Sequence, residues 1–291
     1  MILMIKVGVV KVGNIGISTI IDLILDERAD RDDFHIRTIS TGSKMGQNEV
    51  NDIIRRVKKI DVDLLLFISP NPGARQIKHA IEEITKLNLP LIIIGDKPGE
   101  RAIPFMKEHD LGYVLIRADA MIGARREFLD ATEMALFNSY VLNVLSITGV
   151  VRLLHEEIDK VLYSVKNKTP IVFPEIIVTA QKAVSYARFS NPYAEAKAIA
   201  AYQIAAQVSE MDVTACFRVS DPKEYIPLVV AAHEMMKSAS MLAEDARELE
   251  KTNDTVTRTP HKRDGSIAFK SKLLHNYETE DEFEQWYSNR E

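Results

Sequence analysis

An open parallel α/β sheet, Rossmann-like and followed by a helical bundle, is the fold class that the sequence predicts, and three features predict it. Over the first 120 residues, short β-branched runs alternate with stretches of helical periodicity. The strand runs are apolar throughout, as strands covered on both faces are. After residue 120 the strand runs all but stop and long helical stretches take over. The chain divides accordingly into an α/β domain at 1–120, a helical region at 121–251 and a short irregular C-terminal segment at 252–291 with an acidic tail.

Taken in order, the expected strands are residues 2–10, 35–40, 62–69, 89–94 and 113–117. The helices between them are 18–26, 47–59, 75–86 and 100–108; in the second, Ile53, Ile54, Val57 and Ile60 fall at helical spacing. Each strand ends in a turn-rich stretch: Lys11-Val12-Gly13-Asn14-Ile15-Gly16, Ser69-Pro70-Asn71-Pro72-Gly73, Gly95-Asp96-Lys97-Pro98-Gly99 and Arg117-Ala118-Asp119. In an open parallel sheet these ends line one rim, and ligands bind there where the strand order reverses.

Helices are expected next at 124–145 and 151–165. Residues 175–180 fit either a strand or the start of a helix, and 212–219 read as a possible short strand. Asn191-Pro192 supplies an N-cap and a first-turn proline for a helix over 193–208. In the last helix, 227–251, Leu228, Met235, Leu242 and Leu249 repeat every seven residues, with Ala232, Ala239 and Ala246 between them. That seam predicts burial against other helices, within the chain or between subunits. Residues 277–291 carry six acidic side chains against one arginine and read as a mobile tail.

Composition narrows the function classes. The 291 residues are 46% hydrophobic and 27% charged, the range of an ordinary soluble globule. A formal charge of -5 offers no basic field for nucleic acid. The lone cysteine, Cys216, makes neither a disulfide nor a thiolate metal site, which fits a reducing cytoplasm. No apolar run reaches the ~18–20 residues of a membrane helix, and the start of the chain has no signal-peptide pattern. The seven histidines show no H-x-x-x-H pair or other metal-ligand spacing, so no metal is expected. No G-x-S-x-G elbow is present, and Cys216 lies in an apolar context. Covalent hydrolysis is therefore disfavoured.

The turn from Gly8 to Gly16 is not a dinucleotide fingerprint, because G-x-G-x-x-G needs glycine where Lys11 stands. After the second strand stands Ser40-Thr41-Gly42-Ser43-Lys44, with no acid to hold a ribose, so NAD and NADP both lose ground. The turn can still offer backbone N–H groups to an anion at the helix N-terminus, with Lys11 adding charge, or be only a tight turn. Downstream, Arg117, Arg125 and Arg126 can clamp carboxylates or phosphates, or be a solvated helix start. His233, off the alanine seam, can face a cleft or be structural.

Several of these runs, together with Leu25-Asp26-Glu27-Arg28-Ala29-Asp30-Arg31, Ile93-Ile94-Gly95-Asp96, residues 117–138, Asn191-Pro192-Tyr193-Ala194 and Ala231-Ala232-His233-Glu234-Met235-Met236, resemble the archaeal F420-dependent methylenetetrahydromethanopterin dehydrogenase family. The similarity runs in order from about residue 5 to 265; residues 270–291 look longer and more acidic than the family's usual end. The resemblance implies reversible hydride transfer between reduced coenzyme F420, a deazaflavin, and the methenyl carbon of methenyl-tetrahydromethanopterin. It also implies a homohexamer built as a trimer of dimers, with residues 1–120 binding the cofactor. Together with the rim argument it places F420 against Lys11, Gly13, Asn14, Pro70, Asn71, Gly95, Asp96 and Arg117. The pterin is expected between rim and helices, near Asp119, Met121, Ile122, Arg126, Glu127 and His233, with no catalytic acid, base or metal. A nicotinamide-dependent dehydrogenase and a non-catalytic pterin-binding protein are the competing readings.

Overall fold

A computed structural model describes residues 4–120, 130–275, 282 and 285. Six parallel strands, β1 (Ile5–Lys11), β2 (Phe34–Ser40), β3 (Leu64–Ser69), β4 (Leu91–Asp96), β5 (Gly112–Ile116) and β6 (Glu175–Val178), form one sheet in the order β2-β1-β3-β4-β5-β6. The chain leaves β1 towards β2 and then crosses back to β3, so the order reverses between β1 and β3.

Helix α1 (Gly16–Leu25) covers one face of the sheet; α2 (Gln47–Val57), α3 (Arg75–Thr85) and α4 (Ile103–Glu108) cover the other. The two-residue period of the strands feeds both layers. In β3, Leu64, Leu66 and Ile68 join the α1 side while Leu65 and Phe67 join the α2–α4 side, all fully buried. A 3₁₀ segment, Lys97–Ala102, precedes α4, so the α-helix expected from residue 100 starts at Ile103.

The remaining helices thicken the α1 side: α5 (Ala131–Ile147), α6 (Val150–Asn167), α7 (Ala180–Ala187), α8 (Pro192–Phe217) and α9 (Pro222–Thr252). The ambiguous stretch 175–180 is both things in turn, a strand that extends the sheet at β6 and then the first residue of α7, capped by Thr179. Residues 212–219 are not a strand. They continue α8 to Phe217, with Asp212 and Ala215 on the same buried stripe as Ala201, Ala205 and Val208. Helix α9 begins five residues before Pro227, at Pro222, with Asp221 as N-cap. Residues 121–129, at the start of the helix expected over 124–145, and most of the tail at 277–291 lie outside the described residues.

The alanine seam lies where α8 and α9 pack together. Ala232, Ala239 and Ala246 of α9 are fully buried, as are Ala194, Ala198, Ala201 and Ala205 of α8. Side chains that short let two helices approach closely. The heptad row beside it, Leu228, Met235, Leu242 and Leu249, is half-buried in the single chain. Beyond α9, Val256, Ala268 and Phe269 are buried, and two antiparallel bridges, Arg258 with Lys270 and His261 with Ile267, fold the segment back on itself. Among the described residues no single helix is long and apolar enough to cross a membrane.

Candidate active site

The candidate residues at the ends of β1, β3, β4 and β5 lie on the C-terminal rim of the sheet, around the reversal between β1 and β3. Val12 N–H donates to Ile68 O at 2.9 Å, which joins the two strand ends, and Gly13 N–H donates to Thr41 Oγ1 at 3.3 Å. Gly13 has φ +86°, and a Cβ there would stand 2.7 Å from Met45 Sδ and 2.9 Å from Pro70 Cδ. Only glycine fits such backbone against such neighbours. Asn14 and Asn71 are half-buried on this rim. Asn71 Oδ1 accepts Gly73 N–H at 3.1 Å and shapes the turn after β3. Gly95 lies under Pro72, whose ring a Cβ would strike at 2.8 Å.

The anion that the sequence leads one to expect at the N-terminus of α1 is the protein's own Asp119. Its Oδ1 accepts Gly16 N–H at 2.6 Å and its Oδ2 accepts Ile17 N–H at 3.0 Å. Lys11 likewise does not point a free charge at the rim: its buried side chain turns along α1 to pair with Asp22 at 2.5 Å. Arg117 makes a two-pronged pair with Glu100, Nε to Oε1 at 2.7 Å and Nη2 to Oε2 at 3.2 Å, which keeps its guanidinium charged.

Three buried acids gather behind this rim. Asp96, 2% exposed, accepts Lys97 N–H at 2.5 Å and the Ser209 hydroxyl at 3.1 Å. Burial drives its pKa well above the usual carboxylate range, and the charges of Asp119 and Asp212 add to the shift. Burial raises Asp119 to about 7, against the pull of its two backbone donors. Asp212 is raised well up by burial, and neither of its carboxyl oxygens meets a hydrogen-bond partner. Ser69 Oγ, at the end of β3, is also buried without one. Unsatisfied polar groups inside a protein are costly, and their concentration at a strand rim marks a place that a polar ligand can complete.

Thus Gly13 and Pro70 are in contact, and Asp119 is locked beneath α1. His233 stands apart on α9, with Nδ1 3.4 Å from Glu133 Oε2 and its ring edge-on to Phe137 and Tyr140. Met121, Ile122, Arg126 and Glu127 lie outside the described residues. The sequence reading did not pick out Ser69, Glu100, Tyr202, Ser209 or Asp212. Tyr202 is buried and donates to Val178 O at 2.6 Å, pinning α8 to β6. The signal that marks Ser209 and Asp212 is their place on the buried stripe of α8, which runs past the expected helix end at residue 208.

The sequence model of the methylene-5,6,7,8-tetrahydromethanopterin dehydrogenase family matches residues 5–278. The chain belongs to this family. Among its relatives, the F420-dependent methylenetetrahydromethanopterin dehydrogenase of Methanosphaera stadtmanae is 57% identical over 276 residues, covering 95% of this chain and 100% of that one. The enzyme of the same name from Archaeoglobus fulgidus is 49% identical, over 94% of this chain and 98% of its own. A solved structure of F420-dependent methylene-tetrahydromethanopterin dehydrogenase, in complex with methylene-tetrahydromethanopterin and coenzyme F420, superposes with a TM-score of 0.90 at 39% identity. It covers 94% of this dehydrogenase-family chain and 100% of its own.

Proposed function

We propose that this chain catalyses reversible hydride transfer between reduced coenzyme F420 and methenyl-tetrahydromethanopterin, giving methylene-tetrahydromethanopterin. The observation that carries the reading is the match, over 94% of the chain, to an enzyme solved with both ligands. The rim fits such ligands because it holds unpartnered buried polar atoms, Asp212 Oδ1 and Oδ2 and Ser69 Oγ, beside glycine-shaped strand ends.

When bound, the deazaflavin supplies the two-electron carrier and the pterin the one-carbon acceptor. The protein's own part is to hold two flat ring systems face to face and keep water out, and positioning of this kind supplies roughly 7–11 kcal/mol of a barrier. We assign F420 to the rim of Gly13, Asn14, Pro70, Asn71, Gly95 and Asp96, with Lys11 and Arg117 supporting it through their pairs with Asp22 and Glu100. On the pterin side we assign Met121, Ile122, Arg126, Glu127 and His233, with Asp119 fixing the turn beneath. In this assignment residues 1–120 hold the cofactor and 121–251 close the cleft. A cytoplasmic homohexamer completes the proposal, supported by the half-buried row of Leu228, Met235 and Leu242, which a partner subunit can cover.

The test is spectroscopic. Purified protein given methylene-tetrahydromethanopterin should reduce F420 and leave NADP unchanged; turnover with NADP alone, or binding without turnover, would overturn the proposal.

A further inference from the structure

The opposite edge of the sheet carries a second cluster that hydride transfer does not use. Helix α1 starts on the ligand rim and ends at Leu25, beside the start of β2, so Glu27 lies at the far edge. There it meets His155 of α6 and His261 of the C-terminal segment. His261 Nδ1 is 2.7 Å from Glu27 Oε2 and 2.9 Å from His155 Nε2, and His155 Nε2 is 3.5 Å from Glu27 Oε2. Three ligand atoms, from residues far apart in sequence, therefore form a closed triangle.

A zinc ion with bonds of about 2.0–2.2 Å to nitrogen and oxygen holds tetrahedral ligands roughly 3.3–3.5 Å apart. One edge of the triangle already has that length, and the other two need to open by roughly 0.4–0.8 Å. The surroundings are those of a metal centre. His261 presents its other nitrogen, Nε2, to Asp159 Oδ2 at 2.8 Å, a carboxylate–imidazole pair that fixes ring orientation and makes Nδ1 a better ligand. The same Asp159 oxygen stands 3.9 Å from His155 Nε2, so it borders the triangle while its hydrogen bond goes to His261 Nε2. The neighbouring Arg31 is matched by Asp33, with contacts of 2.9 and 2.8 Å, so its charge does not stand alone against a cation. The His261 side chain is fully buried and His155 nearly so, while Glu27 is 31% exposed and lines, with His155, a cavity of about 510 Å³. That cavity gives an entry path and room for a fourth, exchangeable ligand.

We propose that Glu27, His155 and His261 form a divalent-metal site of the zinc type that clips the C-terminal segment to the α/β domain. Histidine spacing along the chain cannot reveal it, because His155 and His261 come together across 106 residues. A metal that ties distant segments stabilises the folded chain through binding alone.

The full-length protein, stripped with a chelator, is titrated with Co²⁺, whose visible absorption is intense in a four-coordinate site and weak in a six-coordinate one. One Co²⁺ per chain with an intense band, displaced by Zn²⁺ and accompanied by a rise in Tm, is the expected result. Affinity should fall at least ~100-fold in Glu27→Gln and His155→Gln, and ~10–100-fold in Asp159→Asn. Absence of the intense band from the wild-type protein at millimolar Co²⁺ overturns the site without using any variant. Uptake that is undiminished in Glu27→Gln and His155→Gln overturns it equally, because the ion is then elsewhere.

Discussion

Asp119 Oδ1 accepts the backbone N–H of Gly16 at 2.6 Å, so the end of β5 is bolted to the first turn of α1 across 103 residues of sequence. The contact explains the glycine, since a Cβ at position 16 would stand 2.7 Å from that same oxygen. It also satisfies two of the backbone N–H groups that a helix leaves unpaired at its N-terminus.

Asp119→Ala removes the acceptor for two buried N–H groups, Gly16 and Ile17, at an expected cost of ~1–3 kcal/mol for each one stranded. The pH dependence is a sharper check. Burial raises Asp119 from 3.8 to about 7, so the folded state binds a proton more readily than the unfolded chain. Its stabilising contribution is complete below pH 3.8 and is lost as pH rises towards 7. Tm should therefore decline more steeply between pH 4 and 7 in wild type than in Asp119→Asn; parallel curves would show that Asp119 titrates normally.

Asp212 should trade stability for function. A carboxyl group 1% exposed with both oxygens unpartnered weakens the fold, whereas an apolar side chain of similar size needs no partner. Asp212→Leu is expected to raise Tm by a few degrees while raising the KM of at least one substrate tenfold or more. A fall in Tm with unchanged KM would make Asp212 a structural residue.

Asn14 occupies the strand reversal beside the Gly13–Pro70 contact. Asn14→Leu should raise the KM for F420 more than that for the pterin, as steady-state kinetics with each substrate varied in turn will show. An unchanged KM for F420 removes Asn14 from the cofactor side of the rim.

The legible parts of this molecule are those written in local pattern. The apolar run Leu64-Leu65-Leu66-Phe67-Ile68 reads as a buried strand because it feeds both layers, and Asn191-Pro192 marks the start of α8 because capping is local. The glycine turn after β1 was visible as a turn, but its occupant was not: Asp119 reaches Gly16 only once β5 lies two strands away from β3. The same holds for Lys11, whose partner Asp22 comes from the helix doubling back beside it. Residues 212–219 misled because Val213, Ala215, Cys216 and Phe217 are apolar enough for a strand, and only continuity with the alanine stripe upstream makes them helix. Ser209 and Asp212 stayed hidden for the same reason, whereas Asp96 and Asp119 stand in strand-end turns that the sequence shows. Polar residues on a buried helix face declare themselves only when the face is known.

Ala239 tests the buried seam of α9. It is fully buried where α9 packs against α8 and α5, and Asn143 of α5 donates to the adjacent Ser240 Oγ at 2.8 Å. Ala239→Leu overpacks that line at an expected cost of ~1–3 kcal/mol. Denaturant unfolding measures the cost, and sedimentation shows whether the oligomer shifts with it; wild-type stability and mass would mean that the seam tolerates volume and is not a close contact.

The hydride step itself should need no protein acid, base or nucleophile. Hydride passes from carbon to carbon and the acceptor is already cationic, so it needs no protonation; the one proton that the cofactor gives up on oxidation leaves to solvent in a separate step. The acids nearest the rim are arranged for structure: Asp119 holds two backbone donors, and Asp96 takes Lys97 N–H and the Ser209 hydroxyl. His233 is likewise packed between Phe137 and Tyr140. Single substitutions Asp96→Asn, Asp119→Asn, Glu127→Gln and His233→Asn should then act mainly through KM or alignment and leave measurable kcat. A general acid or base contributes ~10²–10⁴-fold, so a loss of that size in kcat at saturating F420 and pterin, with Tm and both dissociation constants unchanged, would assign that residue a chemical role.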